Sequence, residues 1–297
     1  MILWYNEFTM KDALSSNDLE NNSPKTLFQK DLVALRRFYS EKVLSLVEKN
    51  IDVLLRDYTA WQTALTTMAR SLGVEATNAN EIPNIIERAT FAKVKDALFL
   101  KKPKKILLGI AGPGAVGKET IKNGLGFDTV INTTTRPKRS YENHGEHYHF
   151  VDDSTFRDIA SQDSFVVSME RPDRGKYGIQ KRDLEKVLLK SKVAVVEESP
   201  ASLISLREYI KTYKDSELIL TYILPPSPVL PHLAARLANR CQGSGDDFRL
   251  AIASTLNLRQ LDEFSSVMDA ITKGVNVIFV VNDSVENAVR KVKDLVG

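Results

Sequence analysis

The sequence predicts an α/β protein, in which a parallel sheet covered by helices follows an all-α region. Three observations carry that prediction. Between Leu27 and Leu72 there is neither Gly nor Pro, and apolar residues recur at steps of three and four. After Lys104 the chain alternates short apolar β-rich runs with helical stretches, the signature of strands buried on both faces. Between the two textures lies KKPKK (101–105), where Pro103 cannot continue a helix. The expected organisation is therefore a helical region over 1–103 and an α/β domain over 104–297.

Residues 1–26 are polar, rich in Asn and Ser, and end in SPKT, which predicts a loose arm and then a helix start with Pro24 in its first turn. Leu54, Tyr58, Trp61, Leu65, Met68 and Leu72 form an apolar stripe, and Gly73 supplies a stop. A further helix is expected from Pro83 to about Leu100, with Ile85, Ile86, Ala89 and Val94 on one face. Such stripes predict a helical hairpin packed on its neighbour; a homodimer or a protein partner held through these helices is the sharper alternative. KKPKK reads as a solvated linker, with the mouth of an anion site as the other reading. In the second region ILLGIA (106–111), TVINT (129–133), SFVVSM (164–169), VAVVE (193–197), LILTYIL (218–224) and VNVIFVV (275–281) read as strands. Helices are expected near 153–162, 181–190, 200–213, 229–240, 246–269 and 285–296.

Composition narrows the function classes. A length of 297 residues suggests two domains, and 43% hydrophobic with 27% charged residues excludes a fibre or a wholly disordered chain. The net charge of +3 is too small to argue for a nucleic-acid partner. Cys241 is the single cysteine, so neither an internal disulfide nor a thiolate metal cage is possible. The first residues lack the basic start of a secretory signal, and no uncharged apolar run approaches the roughly 18 residues of a membrane span. A cytoplasmic protein without membrane contact is the expectation.

The chemistry concentrates at ILLGIA-GPGAVGKET (106–120). A buried strand leads into Gly112, Pro113, Gly114, Ala115, Val116 and Gly117, and Lys118 opens a helix. Glycines let such a loop curl so that its amide N–H groups point inward at an anion, and the helix adds its positive N-terminal end. The lysine then reaches the outer phosphates of a nucleotide as a point charge. Where the G-x-x-x-x-G-K-S/T pattern has a hydroxyl, this chain has Glu119, followed by Thr120. Glu119 is either a ligand of Mg²⁺ or an acid facing solvent in the first helical turn, where the dipole favours it; Thr120 offers a replacement hydroxyl. VAVVE delivers Glu197, followed by Glu198, at the C-terminal end of a buried strand, suited to holding Mg²⁺ directly or through water.

NTTTRPKRSYENHGEHYHFV (132–151) resembles the acceptor-binding segment of guanylate kinases, with Arg136, Arg139, Glu142, Gly145, Tyr148, Phe150 and Val151 matching without a gap. GKYG (175–178) resembles that family's Y-Y-G turn, VVNDSVENAVRKV (280–292) its closing strand and helix, and PPSPVLPHLAARLANR (225–240) the segment leading into its lid. The resemblance implies a P-loop kinase domain with a five-stranded parallel sheet, a small acceptor-binding β subdomain and a lid. It implies ATP and Mg²⁺, and a small-molecule phosphate-monoester acceptor, with GMP first. Arg136, Arg139, Tyr148 and Tyr177 would hold the acceptor phosphate, joined in the substrate site by Asn132 and Glu197. Lys118, Arg236 and Arg240 would carry catalysis by neutralising the transferring phosphoryl group. The pattern departs from the family at the base-reading positions, occupied here by Val167 or Ser168, Ile179 and Ser199, with Glu170 as a shifted substitute. Those departures leave a ribose phosphate kinase, or a catalytically weakened phosphopeptide-binding module, as alternatives.

Overall fold

The computed structural model describes residues 23–38, 51–75, 79–140, 142–171, 175–227, 232, 233, 236 and 259–297. The helical region contributes α1 (Pro24–Phe38), α2 (Ile51–Ser71) and α3 (Ile82–Lys101). There follow β1 (Lys105–Ala111), α4 (Lys118–Leu125), β2 (Asp128–Thr129), β3 (Thr133–Thr134), β4 (His149–Phe150) and α5 (Asp153–Ser161). Next come β5 (Phe165–Arg171), β6 (Gly175–Gln180), α6 (Lys181–Lys190), β7 (Val193–Glu197), α7 (Pro200–Ile210) and β8 (Ser216–Leu224). The chain closes with α8 (Arg259–Thr272), β9 (Asn276–Val281) and α9 (Val285–Val296). Residues 1–22, most of the segment expected to be helical at 229–240, and the start of that at 246–269 lie outside the described residues.

The chain divides into two units. One comprises residues up to Ala89 with Pro113–Val116 and Leu224–Phe264; the other comprises Thr90–Gly112, Gly117–Ile223 and Ser265–Gly297. In the first unit the expected stripe is real. Tyr58, Trp61, Leu65 and Met68 are buried, Phe28 of α1 meets Tyr58 edge-on at 5.5 Å, and Trp61 meets Phe264 of α8 at 6.2 Å. This packing takes place within the chain, as a helical hairpin on its neighbours requires. On α3 the buried positions run Ile82, Ile86, Thr90, Val94 and Leu98, a four-residue step that passes beside the expected Ile85 and Ala89.

The second unit holds two sheets. The five-stranded sheet has the order β2-β7-β1-β8-β9, with β1 parallel to β7 and β8, and β2 parallel to β7. In register, Leu108 of β1 faces Val195 on one side and Ile219 on the other. Residues Ile106 to Ala111 are all buried although their side chains alternate between faces, so this strand is covered on both sides. The smaller sheet has the order β4-β3-β6-β5, with β6 antiparallel to β3 and β5.

Three expectations are refined. TVINT does not form one strand: Asp128–Thr129 belongs to the larger sheet and Thr133–Thr134 to the smaller. The buried amide of Asn132 donates to Glu197 O at 3.1 Å and to Glu198 Oε1 at 2.8 Å, fastening the crossing point to the end of β7. GKYG, read as a turn, lies inside the strand β6; its glycines weaken any sequence signal for β structure. KKPKK is not at the mouth of the phosphate loop. Lys101 ends α3 and pairs with Glu217 at 2.8 Å, Lys104 pairs with Asp215 at 2.9 Å, and Lys105 already belongs to β1. Gly112 lies beyond the other end of this seven-residue strand, about 20 Å away at about 3.3 Å per residue. Among the described residues, no helix is long and apolar enough to cross a membrane.

The central strand makes a clean stability test. Leu108→Ala should lower the unfolding free energy by about 2–5 kcal/mol in urea titration, because Leu108 is fully buried. Leu189→Ala, on a side chain 79% exposed, should stay within about 0.5 kcal/mol.

Candidate active site

The loop after β1 has the geometry its glycines allow. Gly112 has φ +137°, and a Cβ there would lie 2.6 Å from the backbone oxygen of Ile223, so the backbone of β8 excludes any side chain. Gly117 has φ +91°, with the Asn282 amide 2.6 Å from where a Cβ would sit. Ala115 adopts φ +60°, a left-handed conformation uncommon outside glycine. Gly117 stands at the N-cap of α4 and, as a glycine, makes no side-chain cap hydrogen bond. Lys118 curls back, its Nζ donating to Gly112 O at 2.8 Å. Such a nest of amides, a helix start and an ammonium group can hold a polyphosphate. Glu119 and Thr120 are exposed on the first turn of α4. In the first unit, Arg236 donates from Nη1 to Val116 O at 2.9 Å. Arg240 lies outside the described residues.

A guanidinium pair is built in the second unit. Glu142, only 3% exposed, accepts from Arg136 Nη2 at 2.6 Å through Oε1 and from the Arg139 amide N–H at 2.8 Å through Oε2. The Arg139 guanidinium also approaches Oε1, at 3.7 Å. Burial alone would raise the Glu142 carboxyl, but the hydrogen bonds and charge from Arg136 and Arg139 outweigh it and hold it below its usual range. Arg136 lies over the rings of Tyr148 and Phe150, at 5.4 and 5.6 Å, and donates to Pro137 O at 2.7 Å. The rings of Tyr148 and Tyr177 meet edge-on at 6.2 Å. Burial and then the neighbouring Glu197 carboxylate push the Tyr148 hydroxyl well above its ordinary value, so it remains an O–H donor at neutral pH. The turn joining Glu142 to Tyr148 is tied by Gly145 N donating to Tyr148 O at 2.8 Å and Asn143 N donating to His147 Nδ1 at 3.1 Å.

Glu197 ends β7 opposite Ile110 of β1, and its carboxylate lies 3.7 Å from Lys122 Nζ on α4. Glu198 accepts from Asn132 and from its neighbour's amide, Ser199 N. The structure thus places Asn132, Arg136, Arg139, Tyr148, Tyr177 and Glu197 together in the second unit. At the positions where base readers were sought, Ile179 is fully buried and Ser199 caps α7 by accepting from Ser202 N. Glu170 is exposed on β5 opposite Lys176. Glu142 lies in the motif, but the sequence assigns it no role; its part as the carboxylate shared by Arg136 and Arg139 emerges from the fold.

Among the described residues there is no group of three or more His, Cys, Asp or Glu that could form a protein cage for a metal ion. Mg²⁺ needs no such cage, since it keeps several waters and takes one or two carboxylates plus substrate phosphates. Glu197 offers such a single carboxylate.

A buried parallel strand, a glycine loop, Lys118 and a helix start define a P-loop kinase. The chain belongs to the guanylate kinase family, whose model matches residues 104–297. It is 30% identical over 199 residues to a guanylate kinase of Syntrophomonas wolfei, covering 65% of this chain and 92% of that protein. A guanylate kinase of a Nostoc species is 29% identical over 197 residues, covering 63% and 87%. A crystal structure of guanylate kinase from Anaplasma phagocytophilum is similar over 65% of this chain and 85% of that one, at 17% identity and a TM-score of 0.44. Membership makes the chain a nucleoside monophosphate kinase of the P-loop class.

Glu142 gives a pH signature. Its folded-state pKa is depressed below the ordinary 4.5, so its contribution is complete above that value and is lost as pH falls through the lower folded value. The stability gap between wild type and Glu142→Gln should therefore be constant near neutrality and narrow under acid, as read by urea midpoints between neutral and acidic pH. A gap that widened on acidification would contradict the assignment.

Proposed function

We propose that this protein transfers the terminal phosphoryl group of ATP to the phosphate of GMP, giving ADP and GDP. The observation that carries the proposal is Glu142 fastening Arg136 and Arg139 beside Tyr148 and Tyr177, on the same unit as Lys118 and the glycines flanking the phosphate loop. Two guanidinium groups and two phenol hydroxyls match the oxygens of a phosphate monoester, with arginine offering paired donors. The likeness to curated guanylate kinases supports GMP as that monoester.

In this reading the loop amides and Lys118 grip the β- and γ-phosphates of ATP. Lys118 exchanges its Gly112 carbonyl for a phosphate oxygen, a swap of one acceptor for a charged and stronger one. Arg136, Arg139, Tyr148 and Tyr177 orient the acceptor, while Asn132 and Glu197 border it. Phosphoryl transfer leaves little covalent work to the protein, so rate comes from alignment and from cancelling negative charge. The resemblance of PPSPVLPHLAARLANR to the family's lid segment makes Arg236 and Arg240 the candidates for neutralising the transferring group. Mg²⁺ bound with the nucleotide would neutralise phosphate charge, with Glu197, Glu119 and Thr120 as the protein's candidate ligands or outer partners.

An acceptor panel tests this. With ATP and Mg²⁺, turnover should be highest for GMP among GMP, dGMP, AMP and ribose phosphates, and Lys118→Ala should lose about 10²–10³-fold in kcat. Glu142→Ala should raise the KM for GMP at least tenfold while leaving that for ATP nearly unchanged, since the guanidinium pair loses its anchor. Absence of turnover with every acceptor would sink the proposal, and a ribose phosphate outpacing GMP would replace its acceptor.

A further inference from the structure

The KKPKK run is not absorbed by the kinase reading, and its surroundings are unusual for a solvated linker. Among the described residues, four large apolar side chains are left exposed, and three of them lie on the helix ends that lead into or are tied to the start of β1. Phe99 is 74% and Leu100 80% exposed on the last turn of α3; Leu189 is 79% exposed near the end of α6. Lys105, five residues after Leu100, ties this stretch to the end of α6, its Nζ donating to Leu189 O at 3.3 Å and Ser191 O at 3.0 Å. Lys104 N donates to Asp215 O at 2.8 Å, which ties the same corner to the start of β8. Lys190 and Lys192 follow Leu189, so residues 98–105 and 189–192 carry six lysines beside three exposed apolar side chains.

The charge is not self-cancelling. Lys101, Lys104 and Lys190 pair with Glu217, Asp215 and Asp128. Lys102 and Lys192 have no ion pair among the described residues; Lys102 instead lies 5.7 Å from the Phe99 ring. These surface pairs contribute little to stability. Exposed apolar groups of this size cost free energy in water unless something covers them.

From this corner we infer a docking surface for an anionic lipid bilayer, a peripheral contact rather than a span. Phe and Leu side chains ringed by lysines match the interfacial pattern, in which apolar groups enter the headgroup boundary and ammonium groups meet lipid phosphates. Lysine, with its flexible stem, snorkels to such a surface. A protein partner fits less well, because protein interfaces favour arginine and are depleted in lysine, and residues 98–105 and 189–192 contain six lysines and no arginine. A second copy of this face would oppose like charge with like charge. The placement also leaves chemistry free: the corner lies at the start of β1, and the phosphate loop follows the other end.

Co-sedimentation of the full chain with vesicles tests the inference. The protein should pellet with phosphatidylserine–phosphatidylcholine vesicles and not with phosphatidylcholine alone, and high salt should release it. Phe99→Ser combined with Leu100→Ser, and separately Lys102→Glu combined with Lys192→Glu, should each reduce the vesicle partition coefficient by about tenfold or more. Both variants should keep wild-type turnover and urea midpoint, which separates lost docking from lost folding. Equal binding to both vesicle types, or variants that bind like wild type, would overturn the inference. So would retention on a polyglutamate resin without vesicle binding, which would assign the face to an acidic protein.

Discussion

The position of β1 decides where every charged group in the second unit can stand. Parallel pairing sets Glu197 opposite Ile110 and Tyr222 opposite Ala111, so β1 and β7 end within a residue of each other and β8 runs two residues further. Parallel sheets place ligands in the crevice outside those ends because the loops there are free to diverge while the strands are not. The turn leaving β1 runs hard against the backbone of β8, which is why Gly112 carries no side chain and a positive φ. The same crowding that forbids a Cβ opens the loop's inner surface to a ligand held by amides rather than by side chains.

Arg136 and Arg139 both lie against Glu142, and two guanidinium groups held this close repel each other. Glu142 resolves that conflict locally. One carboxylate oxygen takes Arg136 at 2.6 Å and the other takes the Arg139 amide, so the two arginines share a counter-charge. Arg136 is further steadied by stacking on Tyr148 and Phe150. A shared acid within a guanidinium cluster lowers the reorganisation needed when an anion arrives, because the donors are already aimed. Replacing both arginines by lysines would keep the charge and lose the planar stacking and paired geometry.

Much of this was legible in the residues. The strands β1, β7, β8 and β9 are apolar over most of their length, and burial on both faces makes the pattern self-announcing. The phosphate loop was legible because Gly-x-x-x-x-Gly-Lys imposes a backbone path whatever the rest of the chain does. What stayed hidden depends on contacts distant in sequence. Nothing local in TVINT says that Thr129 pairs with Val195 while Thr133 pairs with Gly178. Nothing in GKYG shows that two neighbouring strands will enlist it. Ser199 illustrates the opposite case: a Ser before Pro200 is a helix-cap signal on its own terms, and the structure uses it that way.

Asn132 ties these strands of argument together. It stands where the chain passes from the five-stranded sheet to the four-stranded one, and its Nδ2 group is fully engaged by Glu197 O and Glu198 Oε1. Both partners are acceptors, so they fix which end of the amide is nitrogen. Oδ1 is therefore the remaining acceptor, buried and without a hydrogen-bond partner among the described residues. A buried acceptor left unsatisfied costs about 1–3 kcal/mol, and a protein keeps such an atom where water or a ligand donor completes it. An aspartate here would set a charge beside Glu198, whereas a serine could reach only one of the two anchors. Amide chemistry at this position lets one side chain join two sheets and still present an acceptor.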